Sequence, residues 1–164
     1  MDDRPQPRLA IAIRPIRHTD ATGLADFYAR LTPESRRCRF MGSSMPATAL
    51  VSALASEPGM VAVLQQSGTR DGEIVAHASV QLDGHHGAEV AFAVADELQG
   101  HGLGRRLVSR SLLLARELGA DRASATLFAG NVQMRHLLAA AGPVCADCLE
   151  AGTEEIVLDL RLPT

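Results

Sequence analysis

Residues Gln99-Gly100-His101-Gly102-Leu103-Gly104 stand between an extended apolar run and a long amphipathic stretch. No other segment limits the fold as much. Glycine at three alternate positions removes side chains where a chain turns from strand into helix. The first four amide N–H groups of a helix have no partner inside it, so a loop of this kind leaves them free to face an anion. A phosphate or pyrophosphate is the natural guest. The chain therefore needs a strand–loop–helix unit around residue 100 and a phosphorylated ligand to go with it.

Periodicity organises the rest around that unit. Leu9–Arg14 alternates as a first strand, and Asp20 to Leu31 carries Leu24, Phe27, Tyr28 and Leu31 at helical spacing, with Asp20 as N-cap. Thr32-Pro33-Glu34-Ser35 opens a second, short helix with proline in the favoured first turn. A third helical piece spans about Ala47–Ser56. Met60–Gln65, Ile74–Gln81 and Ala88–Ala95 read as strands joined by the glycine turns at 68–72 and 83–87, an antiparallel meander. The helix from Leu103 to Leu118 has Leu103, Leu107, Leu114 and Leu118 in one stripe, flanked by Val108 and Leu112. Ala123–Phe128 is a strand, Val132–Ala141 a helix closed by Gly142, and Glu155–Leu162 the last strand. Residues 1–8 read as a flexible lead and 9–164 as one α/β domain.

Composition removes several classes of function. A net charge of −3 gives no global basic field for a phosphate backbone, and no Trp, one Tyr and four Phe cannot build a stacking platform for single strands. Nucleic acid is thus not expected as a partner, nor is a membrane, since no apolar run approaches a span. Three cysteines and a polar N-terminus without a signal-peptide core point to the cytoplasm. Cys145-Ala-Asp-Cys148 lacks the two further ligands that zinc would need and the helix start that a redox pair would need, so no metal is expected.

Two well-known phosphate loops do not fit. There is no Lys-Ser/Thr after the last glycine, as a P-loop requires, and Arg105 stands where a dinucleotide fingerprint needs glycine. Gln99-x-x-Gly102-x-Gly104 after a strand and before an apolar helix instead resembles the acyl-CoA loop of the GNAT N-acetyltransferases. The resemblance runs from Ile11–Pro15 through the meander to the last strand. It implies a mixed, mostly antiparallel sheet of about six to seven strands flanked by about four helices, acetyl-CoA as cosubstrate and an amine as acceptor. By the same resemblance, the strand before the loop splays from its neighbour and backbone groups near Phe92 and Val94 hold the pantetheine arm. Gln99, Gly100, His101, Gly102, Leu103, Gly104 and Arg105 then surround the pyrophosphate. Asn131 and Gly142 keep the spacing of the family's Asn-x-x-Ala-x-x-x-Tyr-x-x-x-Gly helix, which makes Asn131 a candidate contact as well as an N-cap. Leu138 replaces the tyrosine that many relatives use as an acid toward the leaving thiolate.

Attack on a thioester needs a neutral amine, so a base must take a proton from an ammonium whose pKa is near 10.4. Glu89 is the one charged residue of Ala88–Ala95 and shares a face with Ala91 and Ala93. Partial desolvation among alanines is expected to raise its pKa to a useful value. GNAT protein acetyltransferases carry a glutamate at the corresponding place, which makes Glu89 the candidate base. His85 and His86 lie in the adjoining turn, as solvated residues or a proton shuttle. His77 reads as a structural histidine and Tyr28 as packing. No cysteine reads as a covalent relay.

Thr32–Phe40 together with Ala88–Ala91 looks like the GNAT domain of bacterial lysine acetyltransferases. That favours a protein lysine as acceptor and direct attack in a ternary complex. A small-molecule amine acetyltransferase and a non-catalytic acyl-CoA-binding module are the alternatives, and a homodimer is compatible with each.

Overall fold

The computed structural model describes residues 10–42, 48–65, 70 and 72–161. The lead at 1–8 and most of the turn at 68–72 lie outside the described residues. Seven strands form one sheet in the order β1-β2-β3-β4-β5-β7-β6. They are β1 (Ile11–Pro15), β2 (Gly59–Leu64), β3 (Ile74–Leu82), β4 (Gly87–Val94), β5 (Arg122–Phe128), β6 (Val144–Glu150) and β7 (Thr153–Asp159). The first four run antiparallel in chain order, β4 and β5 are parallel, and β5, β7 and β6 are antiparallel again. This is the expected GNAT architecture, with five α-helices: α1 (Ala21–Arg30), α2 (Pro33–Arg39), α3 (Thr48–Ser56), α4 (Leu103–Glu117) and α5 (Val132–Ala141).

β2 is buried along its whole length and β3 through Val80, as befits central strands covered on both faces. α4 lies on one face through Leu103, Leu107, Val108, Ser111, Leu112 and Ala115. Leu118 is in phase with this stripe but is exposed, standing at the C-cap just past the last helical residue, Glu117. On the other face α1 buries Leu24, Phe27 and Tyr28. Arg36 of α2 donates to the Tyr28, Ala29 and Leu31 carbonyls, closing the negative end of α1.

Three local expectations change. Asp20 does not cap α1 with its side chain; its carboxylate accepts from Arg14 at 2.7 and 2.8 Å and from the Arg17 N–H at 2.8 Å. Gly142 ends α5 in extended rather than left-handed geometry. Cys145-Ala-Asp-Cys148 lies within β6, a strand absent from the sequence reading. Cys145 stands at a bulge in the β6–β7 ladder, and both thiols are free and exposed. Among the described residues no cluster of three His, Cys, Asp or Glu forms, and no helix is long and apolar enough to cross a membrane.

The sequence roles of His77 and Tyr28 meet in one buried contact. The Tyr28 hydroxyl lies 2.7 Å from His77 Nδ1, both residues being fully buried. Burial, with the neighbouring Arg39 guanidinium, depresses the His77 imidazole to about 3. The unfolded chain takes up this proton near pH 6.5, whereas the folded chain resists it down to about 3. Stability contributed by the neutral imidazole is therefore complete above pH 6.5 and lost as the pH falls toward 3. The difference amounts to as much as about 1.4 kcal/mol per pH unit. Urea unfolding of His77→Gln, which keeps a partner for Tyr28, should show a pH dependence shallower by about that slope. An unchanged slope would contradict the assignment.

Candidate active site

The register of β4 builds the site. In an antiparallel pair, residues alternate between those bonded to the neighbour and those whose N–H and C=O point away. The Ala95 N–H donates to the Val75 carbonyl, so the odd residues of β4 bond to β3. The even ones, Val90, Phe92 and Val94, turn their backbone groups toward β5. Yet β5 pairs with β4 only at Gly87–Glu89 and then diverges. Phe92 and Val94 thus border a wedge-shaped gap that β5 does not fill.

The gap opens into a cleft of about 450 Å³. Phe92 and Val94 line it from β4, Gln99, Gly100, Gly102, Gly104 and Arg105 from the glycine loop and first turn of α4, and Asn131 from the start of α5. Gly100 and Gly102 are left-handed, with φ of 76° and 80°, and Gly102 is the N-cap of α4. Gly104 serves spacing instead: a Cβ there would meet Leu137 Cδ1 at 3.2 Å. The Gln99 side-chain amide donates to the Val94 carbonyl at 3.2 Å and to Ser35 Oγ at 3.3 Å, holding the loop against strand and α2. Asn131 accepts from the Met134 N–H at 3.2 Å, an N-cap that uses its carbonyl oxygen and leaves its amide nitrogen without a partner among the described residues.

Three of the expected residues do not line the cleft. The Leu103 side chain is buried in the core, so its backbone alone belongs to the loop. The His101 ring folds back, Nδ1–H donating to the Gln99 carbonyl at 2.8 Å. Glu89 lies at the closed end of the wedge, between Gln81 of β3 and Ser124 of β5. It is exposed, since alanine neighbours are too small to cover it, and the expected desolvation is not present. His85 and His86 sit exposed in the β3–β4 turn, where Asp83 accepts from the His85 and Gly87 amides at 2.6 and 2.9 Å.

One wall escaped the sequence reading. α2 crosses the cleft on the face of Ala91 and Ala93: Arg39 donates to Ser79 Oγ at 2.8 Å, and Ser79 is the cross-strand partner of Ala91. Asp96 anchors its other end, accepting from the Thr32 amide and hydroxyl and from Ser35 Oγ. Burial opposes ionisation of Asp96, but the hydrogen bonds from Ser35 and Thr32 outweigh it and keep the carboxyl below its usual range. Arg37 reaches the end of β5, its guanidinium 4.5 Å from the centre of the Phe128 ring. Glu34, Ser35 and Cys38 thereby enter the cleft lining. No local signal in Thr32–Phe40 could reveal this, because the contact joins elements some sixty residues apart.

Cys38 lines the cleft, a position that the sequence does not mark. Burial, and then the Glu34 carboxylate 3.8 Å from Sγ, push its thiol up, which makes it a weak nucleophile at neutral pH. Replacing Glu34 with glutamine should speed alkylation of Cys38 a fewfold at pH 8, read site by site by mass spectrometry; an unchanged rate would remove Glu34 as a cause. Leu138, the position of the missing tyrosine, is completely buried. Met134 and Leu137 face the cleft from α5 instead.

The sequence model of the acetyltransferase (GNAT) family matches residues 27–142. The chain belongs to this family. GNAT acetyltransferases take their acetyl group from acetyl-CoA. A stretch of 75 residues is 35% identical to Acetyltransferase Pat of Mycolicibacterium smegmatis, covering 44% of this chain and 22% of that protein. The match thus spans little more than a fifth of that relative's length. The fold is shared with the GNAT domain of S. lividans PAT, at 24% identity and a TM-score of 0.77 over 96% of this chain and 99% of that one. It is shared too with yncA from Salmonella typhimurium, solved with its cofactor acetyl-CoA, at 22% identity and a TM-score of 0.69 over 92% and 94%.

Proposed function

We propose that this GNAT chain transfers an acetyl group from acetyl-CoA to the amine of a protein lysine, by direct attack in a ternary complex. One observation carries the reading: the backbone groups of Phe92 and the N–H of Val94 face a gap that leads to the glycine loop at the start of α4. A pantetheine arm is an extended chain of amides and would complete the missing strand pairing. Its pyrophosphate would lie on the amides of residues 100–105, with Arg105 adding positive charge and the Asn131 amide nitrogen within the same cleft. The fit is also spatial, since side chains at Gly100 and Gly102 would stand in the space an anion needs.

Glu89 takes the proton from the acceptor. It lies three residues from Phe92, roughly 10 Å along the strand, so the proton travels through water. As the amine nitrogen bonds to the acetyl carbon, the carbon–sulfur bond breaks and the thiolate departs. A thiol pKa near 8.5 makes that departure feasible without a tyrosine at position 138. The likeness of Thr32–Phe40 and Ala88–Ala91 to lysine acetyltransferases supports a lysine acceptor. Labelled acetyl-CoA offered to lysine peptides, free amines and aminoglycosides tests the choice. Label on lysine Nζ is expected; label on small amines alone would overturn the acceptor, and label on none would leave a binding module.

A further inference from the structure

The cleft has opposite charges on its two sides. Of the side chains lining it, Arg105 and Glu34 are the two charged ones among the described residues. Arg105 belongs to the first turn of α4, on the face of the sheet where Gly104 approaches Val94. Glu34 belongs to α2, on the opposite face, which carries Ala91, Ala93 and Glu89. A donor whose pyrophosphate lies on the glycine loop fills the cationic side. The acceptor must then come in past α2, and it meets a carboxylate there.

A glutamate in the first turn of a helix has an ordinary explanation, compensation of the positive helix end. That role asks only for the position. It does not account for a side chain turned along the cleft wall, with Oε1 3.8 Å from the Sγ of Cys38 one turn further on. Ser35, the next residue, is occupied with Asp96 and Gln99, which fixes the α2 backbone and hence the side from which Glu34 projects.

We propose that Glu34 selects the acceptor, binding positive charge on the incoming amine substrate and rejecting amines that carry a carboxylate nearby. The inference rests on the acetyltransferase reading and narrows its substrate class to cationic primary amines, such as a lysine flanked by basic residues, while excluding free α-amino acids. Glu34 acts before the chemistry and Glu89 during it, so the two carboxylates differ in what their loss changes. An exposed ion pair contributes up to about 1 kcal/mol, or about fivefold in KM, and salt screens it.

The test uses two peptides that differ only in having Arg or Glu beside the acceptor lysine. The wild-type chain should favour the Arg peptide through a lower KM. Glu34→Gln should raise that KM about fivefold at low salt, leave kcat and acetyl-CoA affinity by calorimetry unchanged, and erase the preference. Glu34→Lys should reverse it, and 0.5 M salt should level all three proteins. A preference that survives Glu34→Gln would overturn the proposal. So would a fall in kcat with an altered pH profile, which would make Glu34 the base, or a loss of acetyl-CoA affinity, which would place it on the donor. If the wild-type chain acetylates peptides without any Arg-over-Glu preference, this inference alone fails. If it acetylates no amine at all, the functional reading fails first.

Discussion

Gly102→Val should weaken acetyl-CoA binding by at least tenfold, as measured by calorimetry, while the unliganded domain still folds. Gly102 caps α4 with φ at 80°, a conformation that costs an L-residue roughly 1–2 kcal/mol and a β-branched one most of all. No heavy atom lies within 4 Å of a Cβ built at this position, so the first side-chain carbon meets no clash. The penalty is therefore confined to the backbone, and the loop can relieve it by rotating. Rotation turns away the amides of Leu103 and Gly104, on which the pyrophosphate is proposed to lie. The branched side chain also occupies the open space in front of them. Gly104→Ala supplies the contrast. Its φ is ordinary and its new methyl would press on the flexible end of Leu137, so affinity should fall far less. Equal losses at the two positions would show that the loop is sensitive to bulk rather than to backbone conformation.

Glu89→Gln should lower kcat about 100-fold at neutral pH, near the lower end of the range for removing a general base. The lower end is expected because Glu89 is exposed and water can replace part of its role. Affinity for acetyl-CoA should not change, since Glu89 stands at the closed end of the wedge and outside the cleft lining. The sign of the pH effect follows from the acceptor. Without the carboxylate, turnover depends on the fraction of amine already neutral, which grows tenfold per pH unit up to about 10.4 for a lysine. The variant's deficit should therefore shrink as the pH rises. Full activity at pH 7 would dismiss Glu89 as the base, and a deficit independent of pH would point to a structural role.

The parts of this chain that could be read from sequence are those where local chemistry and tertiary structure agree. Thr32 caps α2 as its position before Pro33 suggests, its Oγ1 accepting from the Ser35 amide at 3.2 Å. The meander, the glycine loop and the long α4 each carry their own periodicity. β6 carries none: Val144–Glu150 is exposed at every position and is held through its pairing with β7, so no alternation marks it. One inference about the site failed for a geometric reason. Alanines around Glu89 suggested desolvation, but small neighbours leave a long side chain uncovered. Leu138 is buried, and the cleft is lined from α5 by Met134 and Leu137, which the spacing from Asn131 does not single out. The α2 wall, with Glu34 and Cys38, exists only because Asp96 and Ser79 bring distant segments together.

The central claim is that acetyl-CoA completes the pairing that β5 leaves unmade on β4. Amide hydrogen exchange of the wild-type chain, resolved by residue with NMR and compared with and without saturating acetyl-CoA, tests it most directly. Protection should rise at Phe92 and Val94 and at the loop amides from Gly100 to Arg105, with Ala91 and Ala93 unchanged because β3 already binds them. Protection that appears elsewhere, or that leaves Phe92 and Val94 exchanging as before, would contradict the account.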